Sequence, residues 1–250
     1  MPRILLVILA PALAALLLAA CGSGGDTDRN DTNRNDRLAG SGNLVTQSFD
    51  FDGFDSLDLS SGFRTNLTVG DFSITVQADD NVIAFVEIEL DGDTLRVGLD
   101  PALSIINATL LLDIAMPDFE RIDVGGAVQL QIFDFTSTID RRINLSGAGL
   151  LEATLNAGRL DLNVSGASRA ALSGAADDLD LEVSGASSVA ARAFHARLAE
   201  LDLSGASNAT ITVTQEIRRI EAGGASTVTY FGDPQVGEIS TSGAATAIAR

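Results

Sequence analysis

The chain has 250 residues, 16 basic against 34 acidic, a formal charge of −18 and one cysteine. All the basic residues are arginine, and a field of that sign repels phosphate backbones, which excludes nucleic acid and favours cationic partners or divalent metals. A lone cysteine excludes an internal disulfide framework, and the absence of Trp beside a single Tyr leaves no stacking platform for sugar rings.

Residues 1–20 read as a secretory leader. Arg3 is the positive end, Ile4 to Leu18 the apolar run, and small residues precede the cleavage point. Leu18-Ala19-Ala20-Cys21 resembles the bacterial lipobox, which implies that Cys21 is lipidated and becomes the mature N-terminus. Pro11 and the brevity of the run argue against a spanning helix. The same resemblance associates Gly22, in place of aspartate, with outer-membrane sorting. Residues 21–42 are then the lipidated cysteine and a disordered tether, because Gly, Ser, Asp, Asn, Thr and Arg cannot bury a core. As a flexible coil the tether averages about 25 Å end to end.

Residues 43–250 are expected to form one domain. Leu57-Asp58-Leu59, Ile74-Thr75-Val76 and Leu110-Leu111-Leu112-Asp113-Ile114 alternate as strands do, in coils less regular than those that follow. From Gly126 the chain repeats a small residue, Gly and Ala every 19 to 21 residues, at Gly126, Gly147, Gly166, Gly185, Gly205, Gly224 and Gly243. Mostly apolar residues fill the positions two and four before each Gly, as in Val183 and Leu181 or Leu203 and Leu201. Polar residues stand three and five before it. A period of two means strands with one face inward, and a repeat of this length means a solenoid. Gly tolerates the positive φ of a corner, and Ala leaves room for the next coil, about 4.7–4.9 Å away. The fold expected is all-β, a single parallel β-solenoid with coils of about 19–21 residues. Ala190 to Glu200 alone would read as a helix, yet the repeat register assigns it to strand.

Catalysis finds little support in these residues. The repeated Ser146, Ser165, Ser184, Ser204 and Ser242 mark a structural turn, and the single His195 falls outside the ladder on an exposed corner. Glu182, Asp202 and Glu221 share one outward column in consecutive coils. They form a candidate ligand-binding stripe, with Arg218 and Arg219 beside it as neutralising cations. Paired carboxylates also suit glycoside hydrolysis, which keeps a polysaccharide-active enzyme as the alternative. No cofactor is expected. Asp50 to Asp55 and Asp91-Gly92-Asp93 offer oxygen ligands for calcium, but neither completes a calcium-loop pattern, and Asp-Gly is a common turn. The last coil has no cap in sequence, which points to assembly with a second copy as a further alternative.

The order Phe54-Asp55-Ser56-Leu57-Asp58-Leu59-Ser60-Ser61-Gly62, Leu67-Thr68-Val69-Gly70-Asp71, Asp91-Gly92-Asp93-Thr94-Leu95-Arg96-Val97, Met116-Pro117 and then the Ser-Gly-Ala ladder resembles the head GIN domain family, DUF2807, over about residues 45 to 240. The resemblance implies a right-handed β-solenoid in a bacterial envelope protein, often a lipoprotein, and supplies no catalytic residues. The expected function is therefore a non-enzymatic cell-envelope lipoprotein that presents a binding module on a tether to an envelope glycan or protein.

Overall fold

Alternating side chains on a chain that turns about every twenty residues wind one sheet into two opposed faces. In the computed structural model, which describes residues 37–250 and the backbone of Ile4–Leu5, the strands entering each glycine corner stack into a lead face. The strands leaving it stack into a return face. The lead face runs Thr94–Leu99, Ser56–Leu59, Arg121–Val124, Arg141–Leu145, then the ends of Leu150–Val164, Arg169–Val183, Ser188–Leu203 and Asn208–Ala222, and Gln235–Thr241, all parallel. The return face carries Leu110–Met116, Arg64–Val69 and Gln129–Phe135, then the starts of the same long strands, and ends on Thr227–Phe231 and Thr246–Ala249. The apparent helix at 190–200 lies inside the strand Ser188–Leu203, because its neighbours hold it in ladder register.

The inward columns form one continuous core in which Leu57, Ile122, Ile143, Leu162, Leu181, Leu201 and Ile220 are fully buried, and Val128, Leu130 and Leu151 line the other side. Each fully buried Leu or Ile contributes about 1.5–3 kcal/mol.

Every ladder glycine has φ between 71° and 84°. The N–H of the alanine that follows donates to the carbonyl of the glycine one coil below, at 2.7–2.8 Å from Ala148 to Ala244. A Cβ built on Gly185 would stand 2.4 Å from the Gly166 carbonyl oxygen, so the glycine excludes a side chain on two grounds. The close approach lies at the glycine. The alanine expected to leave room for the next coil points outward and is exposed.

Two residues past the corner glycine, Ser168, Ser187, Ser207 and Ser226 form a buried column. Their hydroxyls bond the corner backbone, as Ser226 Oγ does to the Gly223 carbonyl at 2.8 Å.

The N-terminal segment departs from uniform coiling. Leu44–Phe49 and Ser73–Asp79 add antiparallel strands beyond Leu110–Met116, and Val86–Asp91 folds back on Thr94–Leu99 as a hairpin with Gly92 at φ 68°. Ile4–Leu5 pairs antiparallel with Leu90 and Glu89. Phe54 and Phe72, 4.8 Å apart, help close this end over the core. Folded structure begins before residue 43. Leu38–Ala39 pairs with Ile105–Ile106, and the buried Asp79 accepts the N–H groups of Thr109 at 2.7 Å and Gly42 at 2.6 Å. Those two bonds, Thr109 first, hold its carboxyl below the ordinary value. The rest of the expected leader, Cys21 and the tether up to residue 36 lie outside the described residues. Among the described residues no helix is long and apolar enough to cross a membrane.

Two glycines separate the conformational from the steric requirement. Gly53, at φ 72° with nothing within 4 Å of a Cβ, should lose about 1–2 kcal/mol as Gly53→Ala, whereas Gly185→Ala carries the same strain plus a backbone clash. Urea denaturation should show at least twice the loss at Gly185, and equal losses would refute the stacking account.

Candidate functional surface

Outward side chains of the lead face stand in columns spaced as closely as the strands, so the chemistry of this surface is set by which charges stack. The column five before the corner reads Arg121, Arg142, Asp161, Asp180, Glu200, Arg219 and Glu238. The column three before it brings Glu182 beside Asp202 and Asp202 beside Glu221 in register. Like charges at this spacing repel, and ion pairs within and between the columns offset part of it. Arg121 meets Asp123 at 2.7 Å, Arg142 meets Asp161 at 2.6 Å and Arg159 meets Asp180 at 2.7 Å. Arg219 holds Glu200 at 2.6 Å and Glu221 at 2.7 Å, the neutralisation expected of it, while Arg218 turns to Asp178 instead.

The expected stripe is therefore contiguous but unequal. Glu221 is neutralised, and among the described residues Glu182 and Asp202 have neither an ion pair nor a hydrogen bond. The basic half of the face borders a polar cleft of about 470 Å³, lined by carboxylates of Asp55, Asp93, Glu120 and Asp140 and guanidiniums of Arg121, Arg142 and Arg159.

The return face differs. Between Arg169 and Arg250 its strands carry no carboxylate, and their outward positions include Asn208, Thr210, Thr212, Thr227, Thr229 and Thr246.

His195 is exposed and pairs through its backbone with Ala175 and Thr212, away from the lead-face carboxylates. Among the described residues no three His, Cys, Asp or Glu side chains gather where they could hold a metal ion. Of the two segments weighed for calcium, Asp91-Gly92-Asp93 is the turn of the Val86–Asp91 hairpin, with Asp91 3.4 Å from Arg96 and Asp93 accepting the Thr94 hydroxyl at 3.2 Å. In the other, Asp55 accepts the Ser56 hydroxyl at 2.8 Å.

Residues 53–234 match the family described as "Putative auto-transporter adhesin, head GIN domain". The chain belongs to the head GIN domain family. No curated protein matches it. Among solved structures, a putative adhesin from Bacteroides fragilis is 21% identical with a TM-score of 0.79, covering 85% of this chain and all of its own. A putative lipid binding protein from Parabacteroides distasonis is 17% identical at 0.70, and a putative adhesin from Parabacteroides merdae 16% at 0.67; each covers 86% of this chain and 99% of its own. At these identities the likeness establishes a shared fold.

This GIN domain also contains a buried cation that the repeat pattern does not announce. Arg141 sits at the inward position that Leu160 and Leu179 fill in the next coils. Its side chain is fully buried, 4.4 Å from the Phe119 ring centre, and its three nitrogens reach the Phe119 carbonyl at 2.6 Å, the Asn156 carbonyl at 2.9 Å and the Ser137 hydroxyl at 2.7 Å. Asp118 completes the site at 2.7 Å. Burial pushes the Asp118 carboxyl up, but the Ser137 hydroxyl, the Arg141 guanidinium and the Phe119 N–H together outweigh it and hold it below the ordinary value. A charge at an inward position is the signal in the sequence that could have found it.

Arg141→Ala should cost about 3–5 kcal/mol, since it strands Asp118, the buried Phe119 carbonyl and the part-buried Asn156 carbonyl. Arg141→Lys should fall between, because an ammonium cannot reach all four acceptors. Chemical denaturation of both variants checks the order. Asp79 and Asp118 both have depressed values, so the stability they contribute is present above the unfolded pKa, about 3.9, and is lost as pH falls through their folded values. Denaturation midpoints at pH 6 and pH 3 should therefore differ less in the Asp79→Asn, Asp118→Asn double variant than in the parent.

Proposed function

We propose that this GIN domain protein is a lipid-anchored envelope protein that works by binding and not by catalysis. In this reading Cys21 carries the lipid, Gly22 directs the chain to the outer membrane, and the residues after it tether a solenoid whose lead face meets an envelope glycan or protein. The observation that carries the binding face is the uncompensated pair Glu182 and Asp202, standing in register on an ordered strand surface where the neighbouring charges are paired off. A rigid face of this kind presents its charges without the ordering cost a flexible loop would bear. Family membership and the adhesin names of the structural neighbours support the same reading. The exposed His195, distant in register from the carboxylate column, offers no base for a nucleophile.

The test is capture of envelope glycans and proteins by immobilised residues 22–250, with and without calcium. A Glu182→Ala, Asp202→Ala, Glu221→Ala variant runs in parallel. Capture by the parent that drops at least tenfold in the variant is expected. Capture that the variant retains would remove the acidic stripe from the reading, and new reducing ends or unsaturated products in the incubations would favour the hydrolytic or lyase alternative. In cells, Cys21→Ser should move the protein from the membrane to the soluble fraction; retention in the membrane would count against the anchor.

A further inference from the structure

The polar cleft crosses the start of the lead face, and the coil that walls it is irregular. From Gly126 to Gly147 the chain takes 21 residues, and from Gly147 to Gly166 it takes 19. One of the two extra residues lies in a bulge, where Ile132 to Phe135 opposes Ala153 to Leu155 and Asp134 has φ 58°. The other lies between Phe135 and Arg141, which oppose Leu155 and Leu160. The buried Arg141 fastens this longer loop through the Ser137 hydroxyl and the neighbouring strand through the Phe119 carbonyl, next to Glu120. A buried cation is costly where later coils manage with leucine, and here it fixes the wall and floor of the cleft.

The charges lining the cleft are ordered along the solenoid axis. One backbone ladder crosses it: Asp55 donates to the Asp93 carbonyl at 3.1 Å, Glu120 to that of Asp55 at 2.9 Å, and Arg142 to that of Glu120 at 2.8 Å. Carboxylates occupy the first three levels, as Asp93, Asp55 and Glu120, and guanidiniums the last three, as Arg121, Arg142 and Arg159. The carboxylates of the basic half are engaged, Asp161 by Arg142 and Asp140 by the Arg159 N–H at 2.8 Å. Among the described residues Glu120 has no side-chain partner, and Asp55 and Asp93 each spend one oxygen on the adjacent hydroxyl. Arg121 spends only its Nε, on Asp123, and Arg159 one terminal nitrogen, on Asp180. The cleft is therefore dipolar. A simple anion meets the carboxylates and a simple cation the guanidiniums, so its complement is a zwitterion. Two strand spacings, about 10 Å, separate the levels of Asp55 and Arg142, which is the length of an extended tripeptide. No aromatic ring lines the cleft to stack on a sugar, which favours a peptide.

We propose that this cleft binds short zwitterionic peptides in extended form, the free ammonium at Asp93, Asp55 and Glu120 and the free carboxylate at Arg121, Arg142 and Arg159. The site is separate from the Glu182 and Asp202 stripe and does not rest on it. The experiment is an NMR titration of isotope-labelled residues 22–250 with triglycine, following backbone and arginine side-chain N–H signals, beside triglycine amide, N-acetyltriglycine and glycine. Arg142→Gln and Glu120→Gln are titrated in parallel, with circular dichroism melts as the check on folding. Triglycine should bind, and blocking either end should weaken it about tenfold or more, because each block removes a charge-assisted contact. Glycine, whose charges cannot span the cleft, should bind more weakly still. Arg142→Gln should weaken triglycine far more than triglycine amide, and Glu120→Gln should weaken it far more than N-acetyltriglycine. Arg197→Gln, at an exposed arginine outside the cleft, should bind like the parent. Absence of triglycine binding, end blocks that cost nothing, or variants that weaken free and blocked peptides alike would each overturn the inference. Tighter binding of muramic acid, an amino sugar that carries a carboxylate, would overturn it in favour of a glycan. Capture through the acidic stripe is read with its own variant, so the two readings fail separately.

Discussion

The structure depends on one contact repeated six times: the N–H of a corner alanine donating to the carbonyl of the glycine one coil below. That bond fixes the height of each coil against the last, and the space it leaves beside the glycine is too small for a Cβ. Positive φ alone would admit an occasional Asn or Ser, as the first corner shows with Ser61 at φ 67°. Only an open neighbour permits that. Where one corner sits directly on another, conformation and packing both require glycine, and the repeat survives in sequence because each coil imposes the same demand.

Stacking in register then dictates the surfaces. Any residue type repeated in an outward column faces itself at one strand spacing, which suits Leu in the core and penalises charge outside. The lead face meets this constraint by pairing guanidiniums with carboxylates one strand or one column away and by letting one guanidinium serve two carboxylates, as Arg219 does. Each exposed pair is worth at most about 1 kcal/mol. Their value lies in cancelling repulsion that would otherwise accumulate along the solenoid. Glu182 and Asp202 stand out against this background because the same accounting leaves them uncompensated.

Period and alternation make the coils, the corner glycines and the acidic column legible in the amino-acid sequence, since each is a local rule applied many times. Features used once are harder to see. Alternation does not record strand direction, so the antiparallel strands at the N-terminal end look like further coils in the sequence. The anchoring of residues 38–42 depends on Asp79, which acts through backbone N–H groups that no side-chain pattern reveals. Arg141 is visible in principle, because parity places it inward, but its partners at Phe119, Ser137 and Asn156 come together only when two coils stack. The serine column follows the same logic: Gly-Ala-Ser occurs four times, and only burial shows that the third residue closes the corner from inside.

Net charge describes this molecule poorly, because from Arg169 onward most of its carboxylates are segregated. Asp178, Asp180, Glu182, Glu200, Asp202, Glu216, Glu221 and Glu238 all lie on lead-face strands, while the return-face strands from Arg169 onward carry arginine and uncharged residues. The field is consequently directional. It decays over about 8 Å at physiological ionic strength, so a partner senses the nearer face and little of the other. If a tether holds the solenoid close to an anionic membrane, the C-terminal part of the return face, whose strands carry no carboxylate, is the one that can approach, and the acidic face is turned outward. A segregated charge distribution would then orient the proposed binding surface with no contact dedicated to that purpose.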